Sequence, residues 1–569
     1  MPTQNNRYCR PILLGLVPAV FLLFLGWAHG QQPAQPTPTV EELSRRVQEL
    51  EEIVRRLQAE RAPAEHPVNA TGQEAAPAAK AGPEPIRAPA QPGQSNDGGE
   101  EQADVAGGGV RSQVPGPGGR GPSDVGTRIP ESLLAGWDNG FILRSADKKY
   151  VLRITGQIQN DYRDYPYDRD ITDVNTFLIR RARLGVEADM GIYEFRLLPD
   201  FSNKQNTSTP ASTVILDAYI NAHWWDAFQF EAGKFKQPFS YEQLIQDRFV
   251  PTVERSLIDQ FVPARDIGVM IHGRRLFGGR FDYYASVANG EINGDFDTNN
   301  RKDVFGRLVY RPFQEIEWLK GLQGGVSVST GIEQGTIFNN PGTTTVTNDL
   351  TALTLRTPAQ IPWFKFNNIA NAGGGTSNIV LPDGLRDRIS PEVTYFYKGL
   401  GLAAQYFHQI QQVRESNAGP AERIHISVPV NGFYVLGTYL LTGEERTTYS
   451  EPITPLHEFD PCHPWTCRGA WELVARVSRV DMGDEVFEPF VIGVGGNRAV
   501  VRLADPTLWT RGVTEMTVGF NWYWTKWVRW QFNWEHDYFD QPVRLGPLNS
   551  PAGLLKHDDA LLTRLQLIF

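Results

Sequence analysis

The sequence predicts an all-β protein, a transmembrane antiparallel β-barrel of about 16 strands, preceded by a short coiled-coil helix and a disordered linker. Three observations support this prediction. Segments from Leu134 to Phe569 alternate between apolar and polar residues, their polar faces carry many charges, and aromatic residues cluster at the predicted strand ends. About 435 residues are available, which is enough for a barrel wide enough to hold an aqueous channel.

The alternation is clearest in "FLIRRARLGVEADMGIYEFRLLPD", which begins at Phe177. A period of two residues puts two sets of side chains on opposite faces of a strand. The apolar set is Leu178, Ala182, Leu184, Val186 and Ala188, and the polar set is Arg181, Arg183, Gly185, Glu187 and Asp189. Arg180 has the other parity, so we expect it near a membrane interface, where its long stem can extend toward water.

A barrel explains this pattern better than a sandwich. The two sheets of a sandwich must each present an apolar inner face, whereas a membrane barrel has lipid outside and water inside. The aromatic run "NWYWTKWVRWQFNW" fits the interfacial girdles of such barrels. No segment after the N-terminus approaches the roughly 18 apolar residues that a membrane-spanning helix needs. A soluble secreted β-protein is the alternative.

The N-terminal region reads as three pieces. Residues 1–30 fit a secretory signal peptide, with an uncleaved membrane anchor as the alternative. Residues 39–61 repeat valine and leucine at heptad spacing after a capping-box start, which predicts a coiled coil; a lone amphipathic helix is the alternative. Residues 62–130 are rich in proline, alanine and glycine, so we expect a disordered linker.

Charge and cysteine content restrict the function. The formal net charge of -10 argues against a nucleic-acid partner. Cys462 and Cys467 favour a small disulfide in an oxidising compartment, whereas His457 and His463 leave a metal site open. No motif of a nucleophile, metalloprotease or phosphate loop is found, so we expect neither an enzyme nor a cofactor.

Several segments resemble the phosphate-selective porin O and P family, among them "FLIRRARLGVEADMGIYEFRLLPDFS", "VERSLIDQFVPARDIGVMIHG" and "FYVLGTYLLTGEERTTY". The resemblance extends over roughly Gly136 to Phe569. It implies a 16-stranded barrel in the bacterial outer membrane, usually trimeric, that passes anions by diffusion, with phosphate or polyphosphate favoured by some members. The N-terminal region would then lie in the periplasm.

On that template, Gly233 to Arg265 lies between the fifth and sixth strands and corresponds to the loop that narrows the channel. Arginine and lysine in a pore attract anions and replace part of their hydration shell. The predicted pore-lining, anion-binding residues are Arg181, Arg183 and Arg196 from the wall, and Lys236, Arg248, Arg255 and Arg265 from the loop side.

Structural ion pairing is the alternative for these residues. Glu254 adjoins Arg255 and Asp266 adjoins Arg265, while Glu187 and Asp189 could neutralise the wall arginines. Lys236 shares the parity of the outward residue Phe230, which argues against a lumenal position unless Gly233 breaks the register.

We expect a porin with a mild anion bias rather than strict phosphate selectivity, because the loop also carries four carboxylates. The main alternative is a barrel that tethers envelope layers through the coiled coil, for example by contact with peptidoglycan. The valine and leucine seam favours dimers, but a trimer of barrels would raise the local helix concentration enough to override that preference.

Overall fold

The computed structural model describes residues 133–137, 140–166, 175–202, 213–290, 297, 299–335, 337–340, 343–346, 350, 353–367, 380–415, 425–492, 499–545 and 553–569. The predicted signal peptide, coiled coil and linker lie outside these residues. No helix in the described ranges combines the length and the apolar character needed to cross a membrane.

The described chain is almost entirely β-structure. Its strands are β1 (Leu133–Trp137), β2 (Phe141–Ser145), β3 (Tyr150–Asp164), β4 (Thr176–Met190), β5 (Tyr193–Asp200), β6 (Val214–Trp225), β7 (Phe228–Lys236), β8 (Arg265–Arg275), β9 (Phe281–Ala288), β10 (Asp303–Tyr310), β11 (Gln323–Gln334), β12 (Ile337–Asn340), β13 (Thr343–Val346), β14 (Thr354–Arg356), β15 (Pro362–Lys365), β16 (Val380–Tyr397), β17 (Leu400–Glu415), β18 (Ile426–Leu440), β19 (Ala470–Met482), β20 (Phe490–Ile492), β21 (Ala499–Val501), β22 (Gly512–Tyr523), β23 (Val528–Arg544) and β24 (Leu554–Ile568). Short helical turns cover α1 (Tyr241–Leu244), α2 (Leu276–Gly279) and the 3-10 turns Leu257–Gln260 and Asp484–Val486.

Sixteen of these strands form a closed antiparallel barrel, which confirms the predicted fold. Each of β3–β11, β16–β19 and β22–β24 pairs with its neighbours, and β24 closes the ring by pairing with β3. At the seam, Gly156 and Phe569 exchange two backbone hydrogen bonds of 2.7 and 3.0 Å. The hairpin of β1 and β2 extends the same edge of β3.

The two ends of the barrel differ in the length of their connections. At one end, called the short-turn end, β4 and β5 are joined by residues 191–192 and β6 and β7 by residues 226–227. At the other, the long-loop end, β7 and β8 are joined by residues 237–264 and β11 and β16 by residues 335–379. Residues 441–469, between β18 and β19, are a long connection at the short-turn end.

Exposure of the side chains follows the predicted alternation. Leu184 and Leu565 are outward and exposed, while Arg181 is buried inside the barrel. The prediction was wrong at the start of β4, where Phe177 and Ile179 face outward. A β-bulge explains the difference, because Gln159 pairs with Arg181 and the next residue of β3 pairs with Ile179.

The bulge also corrects the position of Arg180. As the extra residue of β4, it turns inward beside Arg181, and its Nε donates to Glu254 Oε1 at 2.7 Å. It therefore lies in the lumen rather than at a membrane interface.

Three segments enter the barrel and pack into a hydrophobic core. The loop 237–264 and the β14–β15 hairpin enter from the long-loop end, and part of the connection 441–469 enters from the short-turn end. In this core the Phe261 ring lies 6.3 Å from Phe407 of β17 and 6.5 Å from Trp363 of the hairpin. Tyr449 from the third segment is fully buried and lies 5.0 Å from Phe396.

The loop backbone is satisfied by side chains of the wall, as buried polar groups require. Asn533 Oδ1 accepts a 2.6 Å bond from Val253 N, and Glu392 Oε2 accepts a 2.8 Å bond from Tyr241 N. Close packing adds a steric constraint, since a Cβ on Gly432 of β18 would lie 2.5 Å from Ile258 Cγ2. The loop is therefore fixed against the wall on several sides.

The cysteine prediction was wrong. Cys467 is a free thiol, so the small loop disulfide with Cys462 does not form. The alternative metal site is not supported by the described residues, which contain no group of three or more His, Cys, Asp and Glu side chains arranged to hold a metal ion.

Candidate lumenal site

The lumen beside β3–β9 contains two cavities on opposite sides of the inserted loop. The large lumenal cavity, of about 430 Å³, reaches Arg274 and Tyr284 near the short-turn end. The small lumenal cavity, of about 290 Å³, reaches Thr354 and Arg356 of the hairpin from the long-loop end. Together they are lined by all seven residues predicted to bind anions.

Five predicted residues line the large cavity. They come from β4, β5, the end of β7, the loop and the start of β8, and are Arg183, Arg196, Lys236, Arg248 and Arg265. Lys236 therefore does reach the lumen, although its parity with Phe230 argued against it. Its Nζ donates to the loop carbonyl groups of Gln243 and Ile245 at 2.6 and 2.8 Å, so it also fixes the loop.

The other two predicted residues, Arg181 and Arg255, line the small cavity. Arg181 Nη1 donates to Gln159 Oε1 at 2.8 Å. Arg255 donates to the carbonyl oxygens of Glu242 and Ile245 at 3.2 and 2.8 Å. Both guanidinium groups are thus held in place by the wall or the loop.

Asp247 lies between the two cavities. It lines the large cavity and forms an ion pair there with Arg183. On the other side, its Oδ1 lies 2.5 Å from Arg255 Nη1 and 3.6 Å from Arg181 Nη2, and both of these arginines line the small cavity. One carboxylate therefore forms part of the partition between the cavities.

Glu254 forms a second ionic cluster on the loop. Its carboxylate lies 2.7 Å from Arg180 Nε and 3.1 Å from Nη2 of both Arg163 and Arg564. Arg181 Nη2 is 3.8 Å away. Because four arginines from β3, β4 and β24 converge on this carboxylate, it fixes the loop to the seam of the barrel.

The loop carboxyl groups differ in pKa. Burial opposes ionisation of Asp247, but the charges of Arg255, Arg183 and Arg181 outweigh it and hold the pKa well below the usual range. At Glu254, burial is likewise outweighed by its arginines, and the pKa also falls well below the usual range. Burial raises the pKa of Asp259 despite the nearby Arg255.

The charge of Arg248 is less well compensated by opposite charges than the charges of Asp247 and Glu254 are. Burial lowers the pKa of its guanidinium group to about 10, with Glu187 opposing the shift. That value keeps it protonated at neutral pH. Its Nε donates to Gln246 Oε1 at 2.8 Å, and its guanidinium carbon lies 4.9 Å from the centre of the Phe249 ring.

The ion pairs differ from those expected from sequence neighbours. Arg265 pairs with Asp217 at 2.6 Å rather than with Asp266. Arg196 lies 3.0 Å from Glu187 and 3.2 Å from Asp217. Pairing is thus established for both residues, but the partners come from other strands, and Arg265 reaches Asp217 across β7.

Sequence reasoning did not place Arg274 or Asp247 in the large cavity. Arg274 has the parity of His272 in β8, so the alternation of that strand could have identified it as inward-facing. Asp247 was recognised only as one of several loop acids. Its convergence with Arg183 required contacts between residues 64 positions apart.

Three solved structures are similar in fold at low sequence identity. The outer-membrane protein OmpT of Vibrio cholerae is 10% identical, with a TM-score of 0.40 over 75% of this chain and 100% of that chain. The outer membrane channel DcaP of Acinetobacter baumannii is 11% identical, with a TM-score of 0.41 over 77% and 100%. The anion-selective porin from Comamonas acidovorans is 10% identical, with a TM-score of 0.40 over 74% and 100%.

No curated protein sequence matches this chain. The family model of the phosphate-selective porin O and P matches residues 152–569, which cover the barrel from the third residue of β3 onward. Together with the closed 16-stranded barrel, this match shows that the chain belongs to the phosphate-selective porin O and P family.

Proposed function

We propose that this protein is an outer-membrane channel through which small anions diffuse, with a mild rather than strict anion preference. Local charge is the observation that carries the proposal. The large cavity is lined by six cationic and three carboxylate side chains, and the small cavity by four and two. Both have a positive excess although the whole chain carries -10, and selectivity follows the local field.

The preference is mild because most of these cations are paired. Asp217, Asp247 and Glu254 each contact two or more arginines and cancel part of their field. Dense unpaired arginine would favour tight phosphate binding through bidentate hydrogen bonds. Phosphate and polyphosphate are therefore proposed as solutes that pass, without a requirement for either.

A planar-bilayer recording of the full chain tests this proposal. In a potassium chloride gradient, we expect a reversal potential of the sign set by chloride, and inhibition of the chloride current by phosphate only at millimolar concentrations or above. A reversal potential set by potassium would refute anion preference, and phosphate block at micromolar concentration would refute the mild bias.

Charge variants test whether the ion selectivity of the current arises in the lumen. Arg183→Gln and Arg265→Gln should each lower the ratio of chloride to potassium permeability by about twofold, because each removes a cation from the large cavity. Arg479→Gln is the matched control, since Arg479 lies outside both cavities and pairs with Asp540. An equal effect of all three changes would show that selectivity does not arise in the large cavity.

Orientation and assembly belong to the same proposal. The short-turn end faces the periplasm, as in other outer-membrane barrels, and the outward apolar residues contact lipid. The barrels form a homotrimer whose N-terminal coiled coils, over Thr39 to Arg61, reach into the periplasm. Crosslinking of the full chain in detergent should give trimers; dimers alone would contradict this assembly.

The packed lumen supports a second candidate function. Since three segments fill much of the interior, the barrel could act mainly as an anchor that tethers the outer membrane to peptidoglycan through the coiled coil. Deletion of Thr39 to Arg61 separates the two functions. A tether predicts detachment of the envelope with unchanged permeability, whereas a channel predicts that uptake responds only to changes in the lumen.

A further inference from the structure

The large cavity contains two arginines that differ from the others. Within the described residues, the side chains of Arg248 and Arg274 form no ion pair. Arg248 donates to an uncharged amide, and Arg274 lies 6.0 Å from the centre of the Tyr284 ring. Because no protein carboxylate occupies them, these two guanidinium groups are available to an anionic solute.

The wall of the large cavity has a recess along β7 and β8. Gly233 of β7 and Gly268 of β8 pair directly and contribute no side chain there, and Arg274 lies six residues farther along β8, beyond Met270 and His272. Phe235 and Met270 lie on the same strands, line the cavity and are almost completely buried. Tyr284 of β9 stands opposite His272, between Met270 and Arg274 along β8.

The aromatic groups around this recess are themselves ordered. The Tyr219 ring meets Phe235 edge to face at 6.4 Å, and Tyr284 stacks on His272 at 5.7 Å. Ordered aromatic faces offer a planar apolar solute contact without a large loss of side-chain entropy. A hydrated inorganic anion gains nothing from such a surface, because contact with it would remove water from the ion.

We propose that the large cavity contains a binding site for aromatic carboxylates, with the carboxylate on Arg274 and the ring beside Met270 and Tyr284. This inference rests on the proposed channel function and names a class of solute for it. A volume of about 430 Å³ falls in the range typical of sites for small organic molecules.

The wild-type channel provides the first test. Benzoate and acetate carry the same charge and differ in the ring, so they are added in turn to a bilayer recording of chloride current. We expect saturable block by benzoate at concentrations at least about tenfold lower than any effect of acetate, as burial of a ring is worth more than 1.4 kcal/mol. Equal effects of the two acids would overturn the proposal.

Variants then separate the charge from the recess. Arg274→Gln should weaken benzoate block by about tenfold. Met270→Ser, which removes the apolar contact with the ring, should also weaken benzoate block. Arg356→Gln removes the same charge from the small cavity and should leave benzoate block intact. If Arg356→Gln weakened block as much as Arg274→Gln, the site would not be in the large cavity.

The outcomes also separate this inference from the channel function. An anion-selective current that responds equally to benzoate and acetate would refute only the aromatic site. A cation-selective current would refute the proposed function whether or not benzoate blocks. Circular dichroism of each variant shows whether the barrel is folded, and the wild-type comparison of the two acids does not depend on any variant.

Discussion

The barrel interior has two halves, β3–β8 and β17–β19, which share the alternating strand pattern but differ in what their inward side chains contact. Inward residues of β3–β8 include arginines and carboxylates that line wet cavities. Inward residues of β17–β19 include apolar side chains, such as Phe407, Tyr434 and Val474, that form a core with the inserted segments. Outward residues are apolar in both halves. Alternation therefore identifies the outer surface of the barrel, but it does not show whether the other face meets water or protein.

Disruption of the packed half should have the largest effect. Phe407 is fully buried and touches both Phe239 and Phe261 of the loop, with ring centres 6.3 Å apart in each pair. Phe407→Ala should cost about 3–5 kcal/mol through lost burial and an added cavity. We expect a lower unfolding temperature, measured by heat-dependent gel mobility, and a larger and noisier single-channel current.

An outward-facing residue gives the control for this change. Phe177 is 69% exposed on the outside of β4, so Phe177→Ala should leave channel noise unchanged. If both substitutions increased the noise equally, the core would not be what holds the loop.

Removal of one charge from the half that contains the cavities, β3–β8, should have an intermediate effect. Asp247→Asn preserves side-chain size but leaves Arg181, Arg183 and Arg255 without their shared carboxylate. We expect the ratio of chloride to potassium permeability to rise by about twofold or more, because the partition gains positive charge. Reversal potentials measure this ratio.

Asp259→Asn is the matched control for that substitution. Asp259 lines the small cavity, but its Oδ1 is 3.8 Å from the guanidinium Nε of Arg255, so a smaller effect is expected. A fall in anion preference with Asp247→Asn would contradict the role of this carboxylate as a counter-charge.

A pH change should have the smallest effect. Arginine partners hold the pKa values of Asp247 and Glu254 well below the ordinary carboxyl value of about 4. Depressed pKa values mean that these pairs stabilise the loop above that ordinary value, and that this stabilisation is lost only as the pH falls through the lower folded-state values. We therefore expect the difference in single-channel conductance between the wild type and Asp247→Asn to stay the same from pH 7 to about 5.

A step in conductance within that range would implicate other groups. Burial raises the pKa values of Glu242 and Asp259, so they would protonate before Asp247. A step that persisted in Asp259→Asn and disappeared in Asp247→Asn would contradict the assignment of a low pKa to Asp247.

The comparison of the two halves also explains what the sequence could predict. Strand number, barrel closure and the position of the loop between the fifth and sixth barrel strands follow from alternation and resemblance, and the structure confirms them. The wall arginines were identified by the same alternation. These features depend on residues two positions apart or on the order of segments, and both can be read along a single chain.

Ion-pair partners could not be predicted in this way. Arg265 and Asp217 are 48 positions apart, and Arg564 and Asp161 are 403 apart. Their contact depends on strand register and on how the loop enters the barrel. The packed half was missed for a related reason, because an apolar inward residue such as Phe407 is indistinguishable by parity from a polar one until its partner from an inserted segment is known.

The bulge in β4 has a consequence for how such barrels can vary. With one added residue at Arg180, the side chains on both sides of it keep their orientation, since Ile179 and Ala182 remain on the outer surface. A single-residue insertion thus introduces a cation into the interior while the remainder of the strand needs no compensating substitution. Gain or loss of one codon is a simple evolutionary route by which related barrels could adjust their inner charge.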